Sequence, residues 1–231
     1  MREIAPLADL RTVLLWDLDG TIADIRRDIA SGVAAVLAER GLPALSVDRV
    51  TRHVGQGVRH LVPACLAEAG SPISTPQETE RALAVFREHY RLHLMDTTVV
   101  YGSLAETLRE LRRRGRRMAV VSNKPADMSH EILDRLGILS CFAAVLGGDS
   151  LPQKKPGPEP FLHALRLCDR SASPGGAIVI GDSIFDLQGA RAAGMAMCAA
   201  GWGFDPDGSL RQADPDWRCE TPEDLSRSLL P

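Results

Sequence analysis

Two aspartates, Asp17 and Asp19, stand one residue apart directly after the apolar run Val13-Leu14-Leu15-Trp16, and Gly20-Thr21 follows them. An apolar run this short, closed by Gly, predicts a buried strand rather than a helix. Side chains alternate along a strand, so both carboxylates project to the same side at its carboxyl end. Open α/β sheets bind their ligands at that edge. Like charges this close call for a cation or a shared proton. A carboxylate beside a bound magnesium ion can attack phosphorus, because the metal neutralises phosphate oxygens that would otherwise repel it. Asp and Gly also end strands in ordinary turns, so the pair carries weight only alongside segments that an ordinary turn does not explain.

Three such segments follow, each at the end of a predicted strand. Met118-Ala119-Val120-Val121 runs into Ser122-Asn123-Lys124 ahead of a helix, where the Ser122 hydroxyl and nearby amides can hold a phosphate. Ala143-Ala144-Val145-Leu146 is followed by Lys154-Lys155-Pro156-Gly157-Pro158-Glu159-Pro160. A lysine held there by prolines can balance the charge of a nucleophile and a phosphoryl group. Ala177-Ile178-Val179-Ile180 ends in Gly181-Asp182-Ser183, with Asp186 one helical turn on. Singly, each has a plainer explanation: Gly-Asp-Ser as a helix cap, a Lys before Pro as a loop residue, Asp186 as a cap or pair within its own helix. In this order along a parallel sheet they share one edge, with carboxylates for a metal and cations for an anion.

The elements that must position them form two kinds of sequence. After residue 97 strand and helix patterns alternate, which predicts a parallel sheet covered on both faces. Ser103-Leu104-Ala105-Glu106 reads as a capping box opening a helix with Leu104, Leu108 and Leu111 on one face. The basic run Arg112 to Arg117 reads as a solvated helix end. Further helices carry Ile132, Leu133 and Leu136, then Phe161 to Leu167, then the stretch up to Gly194. Met195 to Ala199 is a fifth strand, and Trp217-Arg218-Cys219 a short edge strand. Residues 24–96 show only helical periodicity: Ile29, Val33, Val36 and Leu37; then Val58, Leu61, Val62 and Leu66, with Pro63 kinking that helix or lying in its first turn; then Leu83, Phe86, Tyr90 and Leu94. The expected organisation is a core of residues 1–23 and 97–231 with a helical block, 24–96, inserted after the first strand.

With 231 residues, 45% of them hydrophobic, the chain can build a substantial core. Its formal net charge of -3 argues against a general nucleic-acid binder. No apolar stretch approaches the length of a membrane span, and Met1 to Pro6 lack a signal-peptide core. Cys65, Cys141, Cys168, Cys198 and Cys219 are scattered, with no CxxC pair, so neither a disulfide framework nor a zinc site is expected. A cytoplasmic setting follows, with the thiols packed as small apolar groups. His89 and His93 lie one turn apart without a third ligand, which reads as a solvated or partner-packed helix face.

The four segments resemble the haloacid dehalogenase superfamily of aspartate-nucleophile phosphatases, and the resemblance covers nearly the whole chain. Its fold is a Rossmann-like α/β core, a parallel sheet with helices on both faces, and the inserted block looks like its small α-helical cap. Finer features resemble the phosphoglycolate phosphatase branch. They are His53-Val54-Gly55-Gln56-Gly57, Phe86-Arg87-Glu88-His89-Tyr90, Ser122-Asn123-Lys124-Pro125, the stretch Leu146 to Pro156, and Gly201-Trp202-Gly203-Phe204. The resemblance implies that Asp17 is the nucleophile that becomes phosphorylated. Asp19 is then the general acid and base, and Lys155 a catalytic cation. Ser122 binds the phosphoryl group with Lys155, and Thr21 and Asn123 join the substrate-binding set. Magnesium (Mg2+) is held by Asp17, the Asp19 backbone carbonyl and Asp182, with Asp186 orienting the shell. The loop carrying Arg52, His53 and Gln56 is placed over the active site to choose the substrate. Ile184-Phe185 departs from the Arg-Asn pair usual in the branch, and Tyr101-Gly102-Ser103 from its Pro-Gly. The expected activity is magnesium-dependent hydrolysis of a small phosphorylated metabolite, 2-phosphoglycolate first among them, by a monomer or homodimer without nucleic-acid or membrane partners. The alternatives are another sugar-phosphate or pyrophosphate phosphatase, a phosphosugar mutase, or a phospho-accepting regulatory module.

Overall fold

The apolar runs form a six-stranded, all-parallel sheet in a computed structural model that describes residues 8, 9 and 12–230. Its strands are β1 (Val13–Trp16), β2 (Met118–Val121), β3 (Ala144–Leu146), β4 (Ala177–Gly181), β5 (Ala196–Ala200) and β6 (Trp217–Cys219). They lie in the order β3-β2-β1-β4-β5-β6. β1, β2 and β4 are buried at every position, because helices on both faces leave no face for polar residues. Period-two alternation divides the core. Val13, Leu15, Ala119, Val121, Ala177, Val179, Met197 and Ala199 pack together with Phe161, Ala164, Leu165, Leu187 and Ala190. The alternate residues of each strand face the other side. The order steps outward from β1 in both directions, so the strands part at the β1–β4 boundary, where doubly wound sheets open a ligand crevice.

The chain divides into two compact units, Met1–Asp24 with Val100–Pro231, and Ile25–Val99. The second contains α1 (Arg26–Glu39), α2 (Val47–Thr51), α3 (Val58–Glu68) and α4 (Pro76–Leu92). Its core is the set of apolar residues spaced at helical period, from Ile29, Val33 and Leu37 to Leu83, Phe86 and Tyr90. Phe86 and Tyr90 stack with ring centroids 5.3 Å apart. Pro63 lies inside α3, past its first turn. This unit ends at Val99 rather than residue 96, because the buried carboxylate of Asp28 accepts hydrogen bonds from the backbone and hydroxyls of Thr97 and Thr98 at 2.6–3.1 Å. His89 and His93 stack at 4.3 Å, with His89 bonded to Ser31 and His93 to Asp96, so they are partner-packed.

The sheet unit carries α5 (Leu104–Arg113), α6 (Ala126–Arg135), α7 (Glu159–Cys168), α8 (Ile184–Ala192), α9 (Ser209–Gln212) and α10 (Pro222–Leu229). The capping box expected at Ser103 does not form. Glu223 takes the Ser103 amide at 3.2 Å and Ser226 the hydroxyl at 3.1 Å, so α10 supplies these partners instead. The basic run is only partly solvated: Arg113 and Arg114 pair with Glu110, Arg117 pairs with Asp169, and Arg116 is buried, which pushes its pKa down to about 10. Among the described residues the five cysteines are free thiols, and no helix is long and apolar enough to cross a membrane. The expectation for Met1 to Pro6 lies outside the described residues.

Candidate active site

Asp17 leaves β1 with its amide still donating to Ile180 O across the β1–β4 boundary at 2.8 Å. This places its side chain at the point where the strands part. Lys155 meets it there, with Nζ 2.6 Å from Asp17 Oδ1 and 2.8 Å from Asp186 Oδ1. All three side chains are buried. Burial alone would lower the Lys155 pKa, but the charges of Asp17 and Asp186 and their hydrogen bonds raise it above the ordinary lysine value. It is therefore a permanent cation. Asp186 turns its other oxygen, Oδ2, to Ser183, accepting from the Ser183 amide at 3.2 Å and hydroxyl at 2.5 Å, while its own amide donates to Ser183 Oγ. The helix-cap reading of Gly-Asp-Ser and the ion-pair reading of Asp186 thus describe one arrangement: the box that opens α8 aims Asp186 at Lys155.

Asp182 follows β4. Its Oδ1 accepts from Thr21 Oγ1 at 2.9 Å and its Oδ2 from the Phe204 amide at 2.5 Å. Gly20 and Gly203 admit these contacts. Gly20 sits at φ 88°, and a Cβ there would fall 2.2 Å from Asp182 Oδ2; a Cβ on Gly203 would fall 2.2 Å from Asp182 Cβ. Trp202 Nε1 donates to Thr21 O at 3.1 Å and ties the same turn. Asp17, Asp182 and Asp186, all buried, each present one carboxylate oxygen within 4.8 Å of the others. Burial raises the pKa of Asp17 well above its ordinary value; Lys155 opposes this, and the charges of Asp186 and Asp182 add to it. Burial and then the Asp186 charge push Asp182 up to about 7, against the hydrogen bonds from Phe204 and Thr21. Three buried carboxylates with oxygens within 4.8 Å of one another, with Lys155 their cation, mark a deficit of positive charge. Hard oxygen donors of this kind fit magnesium.

Asp19 is placed differently. Its side chain is not in that cluster; Oδ2 lies 3.0 Å from Lys124 Nζ, and Oδ1 is buried without a hydrogen-bond partner among the described residues. Ser122 is buried at the end of β2, its amide bonded to Leu146 O at 2.9 Å and its hydroxyl accepting from the Lys124 amide at 3.2 Å. Asn123 Nδ2 donates to Lys155 O at 3.1 Å. The structure therefore brings Asp17, Asp19, Thr21, Ser122, Asn123, Lys155, Asp182 and Asp186 to one edge of the sheet. Beyond the site set expected from sequence the structure adds Lys124, beside Asp19, Ser183, which holds Asp186, Trp202, which ties the Thr21 turn, and the backbone amide of Phe204. The signal for Lys124 is its place two residues after Ser122, and that for the Phe204 amide is the stretch Gly201-Trp202-Gly203-Phe204, whose Gly203 leaves room for Asp182.

Arg52, His53 and Gln56 belong to the helical unit and find partners within it. Glu68 receives Arg49 Nε at 2.6 Å, Arg52 Nη2 at 3.2 Å and His53 Nε2 at 2.6 Å. Gln56 Nε2 lies 3.5 Å from His60 Nε2. Hydrogen bonds from Arg49 and then His53 hold the Glu68 carboxyl down to about 2.

The chain matches the haloacid dehalogenase-like hydrolase family over residues 14–200. It is 35% identical over 217 residues to a phosphoglycolate phosphatase of Aquifex aeolicus, covering 94% of this chain and 96% of that one. It is 34% identical over 223 residues to a phosphoglycolate phosphatase of Pseudomonas putida, covering 96% and 79%. The crystal structure of a predicted phosphoglycolate phosphatase from Haemophilus somnus superposes with a TM-score of 0.86 at 29% identity, over 94% of this chain and 96% of that one. The match spans the sheet edge just described and the helical unit between its first two strands, and it makes the chain a member of the haloacid dehalogenase-like hydrolase family.

Proposed function

We propose that this hydrolase cleaves 2-phosphoglycolate to glycolate and phosphate through a phosphorylated Asp17, with Mg2+ bound by Asp17, Asp182 and the Asp19 backbone carbonyl. The observation that carries the reading is the separation of two neighbouring carboxylates into two environments. Asp17 Oδ1 faces Lys155 at 2.6 Å, while Asp19 is drawn away to Lys124 at 3.0 Å with Oδ1 left without a hydrogen-bond partner among the described residues. Paired carboxylates held in different surroundings take different roles.

In the first half-reaction an oxygen of Asp17 attacks phosphorus as the ester bond to glycolate breaks. Asp19 gives its proton to the departing alkoxide oxygen. In the second, Asp19 takes a proton from water, the hydroxide attacks the phosphorus of the aspartyl phosphate, and the Asp17–phosphorus bond breaks, restoring both carboxyl groups. Bound magnesium supplies charge neutralisation of the phosphoryl oxygens. Lys155 presents a fixed ammonium to the same oxygens, and Asp186 holds that ammonium at 2.8 Å. Ser122 and Asn123 orient the phosphoryl group from the end of β2. Thr21 and the Phe204 amide fix Asp182. The relatives' names supply the substrate. Inorganic phosphate release from a panel of alkyl phosphates with magnesium tests the reading: phosphoglycolate should lead, and no release from any of them would defeat it.

A further inference from the structure

A phosphatase for 2-phosphoglycolate must meet a carboxylate one carbon from the oxygen it protonates. Three side-chain cations are buried among the described residues: Arg116, Lys124 and Lys155. Arg116 precedes β2 and so lies at the opposite edge of the sheet. Lys155 is already shared between Asp17 and Asp186. In the helical unit, Arg52 and His53 converge on Glu68.

Lys124 is placed for the task. Its amide donates to Ser122 Oγ at 3.2 Å, its carbonyl accepts from the Gly148 amide at 2.8 Å, and the preceding Asn123 side chain grips Lys155 O at 3.1 Å. The backbone that launches this ammonium is thus pinned to the groups assigned to the phosphoryl end. Its Nζ reaches 3.0 Å from Asp19 Oδ2. An acid must approach the oxygen it protonates to about 3 Å. Measured through Asp19 Oδ2, Lys124 Nζ therefore stands no more than about 6 Å from the leaving oxygen. A carboxylate on the adjacent carbon extends about 3 Å from that oxygen by ordinary bond lengths. The gap closes to a hydrogen-bonded ion pair. An ammonium has three donors, so one nitrogen can serve Asp19 and a second anionic oxygen. A buried ion pair is weak evidence of a stability role.

We propose that Lys124 binds the anionic group carried on the carbon next to the leaving oxygen, and so selects 2-phospho carboxylates over neutral alkyl phosphates. The assignment rests on the phosphatase reading above. Its test compares kcat and KM for 2-phosphoglycolate and for 2-hydroxyethyl phosphate, which has a similar alkyl leaving group and a hydroxyl in place of the carboxylate. Any effect of Lys124 through Asp19 falls on both substrates and cancels in their ratio. In Lys124→Met the preference for phosphoglycolate should fall about 10- to 100-fold, the usual worth of a hydrogen bond to a charged group, with the change mainly in KM. Lys124→Arg should keep much of the preference. Equal losses on both substrates would confine Lys124 to Asp19 and overturn the proposal. The unmodified protein provides a check that needs no variant: hydrolysis of both esters without preference also overturns it and leaves the phosphatase reading standing. Hydrolysis of neither ester would defeat the phosphatase reading itself.

Discussion

Removing the metal should make the protein's stability fall steeply with pH. Asp182 is buried beside Thr21, the Phe204 amide and the charge of Asp186, and without a bound metal burial and then the Asp186 charge push its pKa from the ordinary 3.8 up to about 7. A raised carboxyl favours the folded state while it is protonated. Its contribution is full below about pH 4, the unfolded value, and is lost as pH rises through about 7. Three pH units at about 1.4 kcal/mol each give an upper bound near 4 kcal/mol. Asp17 is shifted the same way by burial and by its acidic neighbours, so it adds in the same direction. Bound magnesium takes over the proton's part and should flatten the profile. For a chain of this size each kcal/mol moves Tm by about 2–4 °C. The share of Asp182 in the gap between magnesium-saturated and chelated protein should therefore widen by up to about 8–16 °C between pH 4.5 and 7.5. Thermal melts followed by circular dichroism read this directly, and Asp182→Asn should flatten the chelated curve. A magnesium gap that stays constant or narrows over this range would refute the reasoning.

Two further outcomes are expected. Asp19→Asn keeps the shape and the backbone carbonyl but cannot exchange a proton, so kcat on an alkyl phosphate should fall about 10²- to 10⁴-fold, measured by phosphate release; a loss under about threefold would assign the proton to another group. Glu68, held down to about 2 by Arg49 and His53, stabilises the fold above about pH 4.5 and loses that contribution as pH falls toward 2. Glu68→Gln should cost no more than about 1 kcal/mol near pH 6, since its arginine partners are solvent-screened, and melts of variant and parent should converge on acidification.

The parallel sheet and its chemical edge were legible because buried strands need unbroken apolar runs, and each such run ended in a polar or Gly-rich turn. What failed depended on partners distant in sequence. Ser103 carries the pattern of a capping box, but residues of α10, more than a hundred positions away, occupy its amide and hydroxyl. Arg116 sits in a run of arginines that looks solvated throughout, yet it alone of that run is buried. The helical unit extends to Val99 because Thr97 and Thr98 complete the Asp28 carboxylate from α1, a match that no local pattern displays. Arg52 and His53 stand in the loop expected over the active site, while their shared acceptor, Glu68, stands at the far end of α3. Within the site, the residue types named the chemistry but not the pairing. Three lysines follow two strands, Lys124 the one and Lys154 and Lys155 the other, and only the fold shows that Lys155 joins Asp17 to Asp186 while Lys124 goes to Asp19.

The central claim is that the phosphoryl group passes through Asp17, and trapping it there is the most direct test. The protein, mixed with magnesium and phosphoglycolate and quenched in acid within a turnover, should carry one added phosphoryl group on the peptide containing Asp17. The label should be lost on treatment with hydroxylamine, as an acyl phosphate is. Asp17→Asn, nearly isosteric and folded, should show neither label nor turnover. Substantial turnover by Asp17→Asn, or a phosphoryl group trapped on any other residue, would contradict the account.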